Sequence, residues 1–397
     1  MSEEQLDLGD LGLDEGAHLL LARRLGALSP GAELRVTGTA PTLAIDLGAW
    51  CRSEGHELRA SGAELRVRRG TAQNARRVGA ERAGAADPRG EDAVWERPRA
   101  SFGLAARGAL VEAGSPELGF LLDDKRVVWA DEAARLYAQA AAAQWDPATA
   151  IPWHEKVELP DDIEDAVVQC LTYLIENETA ALIVPARFAS QIHPHFREVQ
   201  QLLAIQAADE ARHIEVFTRR ALLFRSELGL STAGGQASLA TLLGEPDFAL
   251  SAFLLSVLGE GSFLSLLWFL RDHAPDPVTA AVARLAAQDE ARHVAFGLAH
   301  LARHVELDPS LRARLGAAVE RRHAALAGTA GLNSEVFDAL ILLAAGSLEP
   351  PALRKGHAAV IQLTLDMDAG RRARLERLGF AATDAERLSS LHTRNFM

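Results

Sequence analysis

The chain has 397 residues, of which 48% are apolar, 24% charged and 6% aromatic, enough for two or three domains with a sizeable core. Its 41 basic and 54 acidic side chains give a formal net charge of −13, which disfavours a dedicated nucleic-acid-binding protein. The two cysteines, Cys51 and Cys170, are too few for a disulfide framework or a four-thiolate metal site.

The stretch nearest to a membrane span, residues 248–270, is interrupted by Gly259, Glu260 and Gly261. No apolar run reaches the 18 residues that a span requires, so we expect no membrane. The first ten residues are acidic rather than basic and then apolar, unlike a secretory signal. These patterns predict a cytoplasmic protein with neither a membrane nor a nucleic acid among its partners.

The first 70 residues differ from the rest, because short alternating runs and helical runs follow one another. Their periodicity predicts strands and helices in the order β-α-β-α-β-β, at about 5–8, 16–28, 33–37, 42–54 and, for the last two strands, 56–67. This order fits a small two-layer α/β domain.

This domain carries the runs LSPGAEL at 28–34, AWC at 49–51 and GHEL at 55–58. With the element order, they resemble the TusA/SirA family of small sulfur carriers. That family carries persulfide on a Cys-Pro pair after its first strand, but the matching stretch here, GLDEG at 12–16, has no cysteine. Cys51 falls in the second predicted helix, where a cysteine is usually a small buried hydrophobe. The resemblance therefore implies a docking or dimerising role instead of sulfur transfer.

A linker is predicted over residues 71–99, which mix Arg, Gly, Ala, Asp and Pro without periodicity. Residues 66–99 hold nine arginines and five acidic residues, a local charge of +4. The composition predicts a flexible, solvated tether, with contact to RNA or a partner protein as the alternative.

Residues 100–397 are predicted to form an all-α bundle, because helical periodicity dominates this part of the chain. Prolines in the gaps mark where helices stop or start. The predicted helices span 131–143, 161–187, 195–227, 246–272, 276–306, 308–328, 334–346, 350–376 and 382–392.

A five-residue sequence occurs twice in the bundle, as DEARH at 209–213 and again at 289–293. Matching flanks, IEVF at 214–217 and VAF at 294–296, indicate an internal duplication of a two-helix unit. Glu and His three positions apart lie on one helix face, so their side chains can bind one metal ion.

Di-metal bundles need one further Glu from each of two partner helices. Upstream of the first copy, Glu178 lies on the apolar face whereas Glu176 lies off it; upstream of the second copy, Glu260 is the candidate. The intervals agree, at 32 residues from Glu178 to Glu210 and 30 from Glu260 to Glu290. Such an interval is long enough for the rest of one helix, a turn, and a second helix that runs antiparallel to the first.

Six residues are thus predicted to bind two metal ions: Glu178, Glu210, His213, Glu260, Glu290 and His293. The alternative is that the charged residues lie on solvated faces as i,i+3 pairs. Against this, Glu260 falls in the most apolar segment, where an unpaired carboxylate is costly. Asp209 and Asp289 are expected to accept the free N–H of a ligand histidine on the opposite helix, and Arg212 and Arg292 to pair with acids at the bundle surface.

These motifs are similar to those of the ferritin-like di-iron carboxylate superfamily, over about 290 residues. Their (Asp/Glu)-Glu-x-Arg-His form looks like its oxygen-activating members, and the chain most resembles the bacterial p-aminobenzoate N-oxygenase-like group. The resemblance implies two irons, with manganese as an alternative, and dioxygen as co-substrate. That group has a further histidine where this chain has Ala286, a departure that weakens the N-oxygenation reading.

The leading hypothesis is a di-iron oxidase or oxygenase that uses dioxygen to oxidise a small organic substrate, with an external electron donor and no catalytic side chain beyond the ligands. Alternatives are a ferroxidase or iron-binding protein and an adaptor with a structural di-metal site. The duplication and the added domain favour a homodimer. Gly259 and Gly261 flank Glu260 and indicate either close helix packing or space for dioxygen or substrate.

Overall fold

The computed structural model describes residues 4–62, 64–71, 79–90, 92–327 and 334–391. The chain divides into two compact units. The first comprises Met1–Ala93 with Arg99–Leu118, and the second comprises Val94–Pro98 with Gly119–Met397. The first unit thus extends beyond residue 70, where the periodicity of the small domain ends.

The first unit contains the predicted two-layer α/β arrangement, and the element order β-α-β-α-β-β is confirmed. Its elements are β1 (Glu4–Asp7), α1 (Ala17–Ala27), β2 (Glu33–Thr37), α2 (Leu43–Glu54), β3 (Glu57–Ser61) and β4 (Glu64–Arg68), followed by the two-residue strands β5 (Glu81–Arg82) and β6 (Leu110–Val111). Cys51 is buried in the core of this unit, and burial raises the pKa of its thiol to about 11, so the thiol is protonated at neutral pH.

The four longer strands form one sheet in the order β1-β2-β4-β3. Strands β1 and β2 pair in parallel, whereas β4 is antiparallel to both β2 and β3. Alternate residues of β2, Leu34 and Val36, are fully buried and pack in one cluster with Leu21 of α1 and Leu47 of α2. The strand period of two therefore turns one face of the sheet toward the helices.

The predicted linker falls partly on residues 72–78 and 91, which lie outside the described residues. Within the neighbouring ranges the backbone makes specific contacts. Strand β5 pairs with β6, and the Arg107 guanidinium donates to the carbonyl of Ala85. The flexibility of this segment stays a prediction.

The second unit is the predicted all-α bundle. Its helices are α3 (Lys125–Val128), α4 (Ala133–Ala142), α5 (Asp161–Ala189), α6 (Arg197–Ala221), α7 (Ala233–Leu243), α8 (Phe248–Ala252), a π-helix (Phe253–Glu260), α9 (Gly261–Asp272), α10 (Pro277–Leu307), α11 (Leu311–Leu326), α12 (Ser334–Ala345), α13 (Pro350–Arg377) and α14 (Ala382–Ser390).

The longest helices begin at strong start signals. Helix α5 follows Pro160 and has three acidic residues in its first turn, which complement the helix dipole. Helix α10 has Pro277 in its first turn, and the Asp276 carboxylate caps it by accepting the N–H of Thr279 at 2.8 Å. Helix α5 packs along α6 and α9 along α10, so each half of the duplication contributes one antiparallel pair.

The short helix α3 was not predicted, and two of the longer predicted helices differ from those in the structure. The predicted helix over 195–227 ends at Ala221, and a separate helix, α7, follows although no helix was predicted there. Its first turn contains Gly234 and Gly235, residues of low helix propensity, and the Thr232 side chain caps it. The predicted continuous helix over 246–272 contains the π-helix, which periodicity alone does not reveal.

Two described helical stretches, Asp161–Ala189 and Phe248–Asp272, are long and apolar enough to cross a membrane. The bent pair Ser334–Ala345 and Pro350–Arg377 adds a third candidate if it is one broken span. In the structure, 67% of the most apolar 18-residue stretch of the first of these and 72% of that of the second are buried inside the protein. Their apolar residues therefore pack within the bundle.

Candidate metal centre

Four neighbouring helical segments present the six predicted ligand residues to one another. Helix α5 supplies one, α6 two, the end of the π-helix one and α10 two. They are Glu178, Glu210, His213, Glu260, Glu290 and His293. None of the six is more than 2% exposed, so they form a polar cluster inside an otherwise apolar bundle.

The six residues form two overlapping groups, in each of which the potential ligand atoms lie within 4.8 Å of one another. The first group is Glu178, Glu210, His213 and Glu290; the second is Glu210, Glu260, Glu290 and His293. Each group has its own histidine and its own terminal glutamate, whereas Glu210 and Glu290 belong to both. The residues of the cluster could therefore hold two metal ions, one at each group.

Both histidines turn Nδ1 toward the carboxylates. His213 Nδ1 lies 3.2 Å from Glu210 Oε2 and 3.4 Å from Glu178 Oε2. His293 Nδ1 lies 3.0 Å from Glu210 Oε1 and 3.5 Å from Glu290 Oε2. The two oxygens of Glu210 thus face different histidines.

Several buried ligand atoms have no hydrogen-bond partner in the described part of the chain. They are Glu178 Oε1, both carboxylate oxygens of Glu210, Glu260 Oε2, Glu290 Oε2 and His293 Nδ1. A buried unsatisfied acceptor is costly, and a cluster of them is rare in folded proteins. Metal ions would satisfy these atoms together, so the residues present fit a di-metal centre.

The electrostatics of the cluster agree with this fit. Burial raises the pKa of Glu260 to about 8, and the Glu290 charge adds to the effect. Burial also raises the pKa of Glu210, reinforced by Glu290 and Glu178. For Glu290, His293 and His213 outweigh burial and lower the pKa to about 2. Without cations the cluster would therefore take up protons, which metal ions would displace.

Each predicted supporting aspartate contacts the histidine of the opposite helix. The Nε2 of His213 lies 3.1 Å from Asp289 Oδ2, and the Nε2 of His293 lies 3.2 Å from Asp209 Oδ2. An imidazole that donates Nε2–H to a carboxylate keeps its Nδ1 lone pair for a metal. The aspartates thereby orient both imidazoles.

The position of Arg212 differs from the prediction of a surface pair. Its side chain is 9% exposed, and its guanidinium donates to Asp209 and, at 2.8 Å, to Asp289. Among the described carboxylates Arg292 pairs with Asp289 only, and it is more exposed, at 15%. The duplicated motif is thus asymmetric, because one arginine serves the supporting aspartates of both halves.

Four contributing residues were not recognised from the sequence. Gln144 donates to Asp209, and Trp145 donates its indole N–H to Asp289, both at 2.8 Å. The amide of Gln206 donates to Glu260 Oε1 at 2.9 Å, and Gly297 lets α10 approach the π-helix. Gln206 lies one turn before Glu210, a signal that could have been used. Gln144 and Trp145 follow α4, far from the motifs, and carry no signal.

The π-helix ends at Glu260, so the last ligand residue of the second half lies where the helix geometry changes. Such π-helical turns are frequent at functional sites because they re-aim side chains. Next to it, a Cβ on Gly261 would lie 2.5 Å from Nε of Arg374 on α13. Of the two predicted reasons for glycine, close helix packing is therefore the one the structure supports at Gly261.

Comparisons with known proteins gave matches among solved structures alone. No family model matches the chain, and no curated protein matches it. Among solved structures 39 chains match. One is an R2-like ligand-binding oxidase with an aerobically reconstituted metal cofactor after photoconversion, at 17% identity, covering 66% of this chain and 94% of that chain, with a TM-score of 0.47. Another is the R2-like ligand-binding oxidase from Sulfolobus acidocaldarius, at 16% identity, covering 62% of this chain and 94% of that chain, with a TM-score of 0.41.

Proposed function

We propose that the protein is an oxidase or oxygenase that binds two irons, with manganese as an alternative, and uses dioxygen to oxidise a small organic substrate. The observation that carries this proposal is the pair of ligand groups that share Glu210 and Glu290. When bound, such a metal pair supplies the reduction of dioxygen. Oxygen- and nitrogen-donor ligands of this kind suit both iron and manganese.

The charges of the chain's own residues support divalent metals. Four ligand glutamates match the charge of two divalent ions, so the loaded site is neutral within a buried region. The aspartates outside the ligand set carry two further charges, but Arg212 and Arg292 contact them. The charges of the ligand glutamates would thus be balanced by the metals, and those of the two aspartates by the two arginines.

Several side chains would maintain the site during a reaction. Asp209 and Asp289 hold the imidazole rings, and the amide of Gln206 holds one oxygen of Glu260, leaving Oε2 free for a metal. Burial of all six ligands excludes bulk water, which protects reactive oxygen species from quenching. No nucleophile or general acid outside the ligand set is part of this proposal.

The proposal includes an external electron donor. Full reduction of one dioxygen to water takes four electrons, and a two-electron oxidation of the organic substrate provides two of them. A donor must supply the other two in each turnover. The implied partners are therefore a small-molecule substrate and a reductase or small reductant. The homodimer and the cytoplasmic location stay predictions from the sequence.

The test is the metal content of the purified protein, followed by its absorption spectrum after anaerobic ferrous loading and a pulse of dioxygen. We expect two irons per chain and an oxygen-dependent transient absorbance. Glu260→Ala removes a ligand of the second group and should reduce iron to one per chain or less. Glu215→Ala, an exposed carboxylate on α6, is the matched control and should load two irons.

Other outcomes would contradict the proposal in distinguishable ways. Iron loading that is unchanged by Glu260→Ala would refute the site assignment. Two bound metals without any reaction with dioxygen would favour an adaptor with a structural site. Oxidised iron that accumulates while no candidate organic substrate is consumed would favour a ferroxidase or iron-binding protein.

A further inference from the structure

A cleft on the bundle lies beside the π-helix and has predominantly apolar walls. Leu254 and Leu258 line it from the π-helix, and Leu375 lines it from α13. The other lining residues are Val319, Arg322, His323 and Leu326 of α11, Arg371 of α13, Leu388 and Ser389 of α14, and Leu391 just after it. Glu260 ends the same π-helix whose leucines form this wall, so the cleft and the metal centre share an element.

Three arginines concentrate positive charge at this cleft. Arg322 and Arg371 line it, and Arg374 lies one turn beyond Arg371 on α13. Arg371 is 7% exposed, and the other two are partly buried. Burial lowers the pKa of each guanidinium to about 10, although each remains charged at neutral pH. At Arg371 the nearby Asp368 charge offsets part of the cost of burial, but burial has the larger effect on the pKa.

The neighbouring polar groups are neutral or already paired. Arg371 donates to Ser389 Oγ at 3.2 Å, and Arg374 donates to the Val257 carbonyl at 2.7 Å. Arg322 likewise contacts a hydroxyl, Ser238 Oγ, at 2.7 Å. Among the described residues no carboxylate forms an ion pair with these three arginines. The nearby Asp368 carboxylate accepts from Ser389 and pairs with Arg372 at 2.9 Å.

One buried guanidinium nitrogen of these three arginines lacks a hydrogen bond within the described part of the chain. This atom is Nη2 of Arg374. The close approach of this side chain depends on Gly261, since a Cβ there would lie within 3 Å of three guanidinium atoms. A buried, unsatisfied cation is unfavourable, and a negative charge bound nearby would offset part of this cost.

We propose that this cleft binds an organic anion, a carboxylate or phosphate group attached to a slender apolar body. The guanidinium groups of Arg322 and Arg371, which line the cleft, would bind the anionic head, since the planar donors of arginine match the oxygens of both head groups. The charge of Arg374, one turn from Arg371 on α13, would add to the attraction. The leucines of the π-helix and α13 would contact the apolar body. The site is separate from the metal ligands, and the inference goes beyond the proposed oxidase function.

The test is isothermal titration calorimetry on the full-length, metal-loaded protein with four probes. Hexanoate and hexyl phosphate carry both features, hexanol lacks the charge, and inorganic phosphate lacks the apolar body. We expect at least one of the two amphiphilic anions to bind about tenfold or more tightly than hexanol and inorganic phosphate. The tighter of the two identifies the head group.

Arg371→Met should weaken binding of that anion by about tenfold or more, because it removes a charged donor. Arg377→Met, an exposed arginine on the same helix, should bind like the wild type. Arg322→Met is a second variant should the first fail to fold. Without anion, Arg371→Met should be at least as heat-stable as the wild type, because it removes a buried, unpaired charge.

Equal binding of hexanol would overturn the anion site, and equal binding of inorganic phosphate would overturn the apolar part. Equal affinity in Arg371→Met and the wild type would place the ligand elsewhere. Binding that disappears when metals are removed, while Arg371→Met is unaffected, would assign the anion to the metal centre. Iron loading of the arginine variants, measured in parallel, separates these outcomes from failure of the proposed oxidase function.

Discussion

At the scale of single residues, Arg212 links the two halves of the metal centre. Its guanidinium binds both aspartates that orient the ligand histidines and lies 4.5 Å from the centre of the Trp145 ring. The carboxylates of Asp209 and Asp289 therefore share one cation. Arg292, at the equivalent position of the second motif, contacts Asp289 alone among the described carboxylates.

We expect Arg212→Lys to weaken both metal sites, because an ammonium group cannot reproduce the planar contacts to two aspartates. Loss of such supporting contacts typically costs about 10- to 100-fold in metal affinity. Arg292→Lys should cost less and should affect mainly the site that contains His213. Competition titrations with a chelator of known affinity give both constants, and equal losses in the two variants would contradict the asymmetric role.

A second prediction at this scale concerns His304 on α10, which is 4% exposed and contacts the Trp129 carbonyl at 3.0 Å. Burial lowers its pKa to about 4, and the Arg303 charge adds to the effect. An unfolded histidine titrates near 6.5. Between about pH 6.5 and 4 the unfolded chain therefore binds more protons, so the free energy of unfolding should fall as the pH falls through this window.

His304→Gln should remove part of this dependence. Between pH 7 and pH 5 its free energy of unfolding should fall by about 2 kcal/mol less than that of the wild type. Denaturant unfolding at the two pH values measures the difference. The control is His154→Gln, since the His154 side chain is 85% exposed. A variant that loses as much stability as the wild type over this range would contradict the assignment.

At the scale of elements, the spacing of α10 and the π-helix decides whether the second ligand group can form. Gly297 lies one turn after His293, and Ser256 lies one turn before Glu260. A Cβ on Gly297 would lie 2.6 Å from the Cβ of Ser256. Because Ser256 Cβ is attached directly to the backbone, a side chain at residue 297 would push the two elements apart.

Gly297→Ala should therefore destabilise the bundle by about 1–3 kcal/mol despite the better helix propensity of alanine. It should also weaken metal binding at the group that contains Glu260 and His293. Gly316→Ala on α11 is the control, because the nearest atom to its new Cβ is 3.7 Å away and only the helix propensity would change. A Gly297→Ala protein as stable as the control would show that the helices have room.

At the scale of the whole molecule, the bundle places four carboxylates and two imidazoles in one buried cluster. Metals that bind only the folded state shift the folding equilibrium toward it. Addition of a strong chelator should therefore lower the unfolding temperature of the metal-loaded wild type by several degrees. In Glu260→Ala the chelator should have a smaller effect, whereas in Glu215→Ala it should act as in the wild type. Calorimetric scans with and without chelator measure this.

Much of the site could be predicted from the sequence because its geometry is local and repeated. The spacing of Glu210 and His213 places both on one helix face, and the second motif repeats it. The register of Glu178 and Glu260 follows from the apolar face of their helices and from two similar intervals. The helical fold class follows from the same periodicity, and the structure confirms it.

The remaining parts depend on contacts between residues distant in sequence. The sequence predicted that Asp209 and Asp289 each contact the histidine of the opposite helix. It did not predict that Arg212 contacts both aspartates, because these contacts join residues of two different helices. Gln144 and Trp145 reach the aspartates from a segment without motifs. The π-helix likewise depends on how its apolar residues pack.

The sequence by itself determined the class of the bundle, the duplication and the six side chains that meet at its centre, because helical periodicity and i,i+3 spacing are properties of the local chain. Only the tertiary structure decided which carboxylates belong to both ligand groups, which cations compensate the supporting aspartates, and that Arg322 and Arg371 line one cleft. These contacts join residues on different helices, so they depend on the distances between the helices. Those distances are set by close packing at positions such as Gly261 and Gly297.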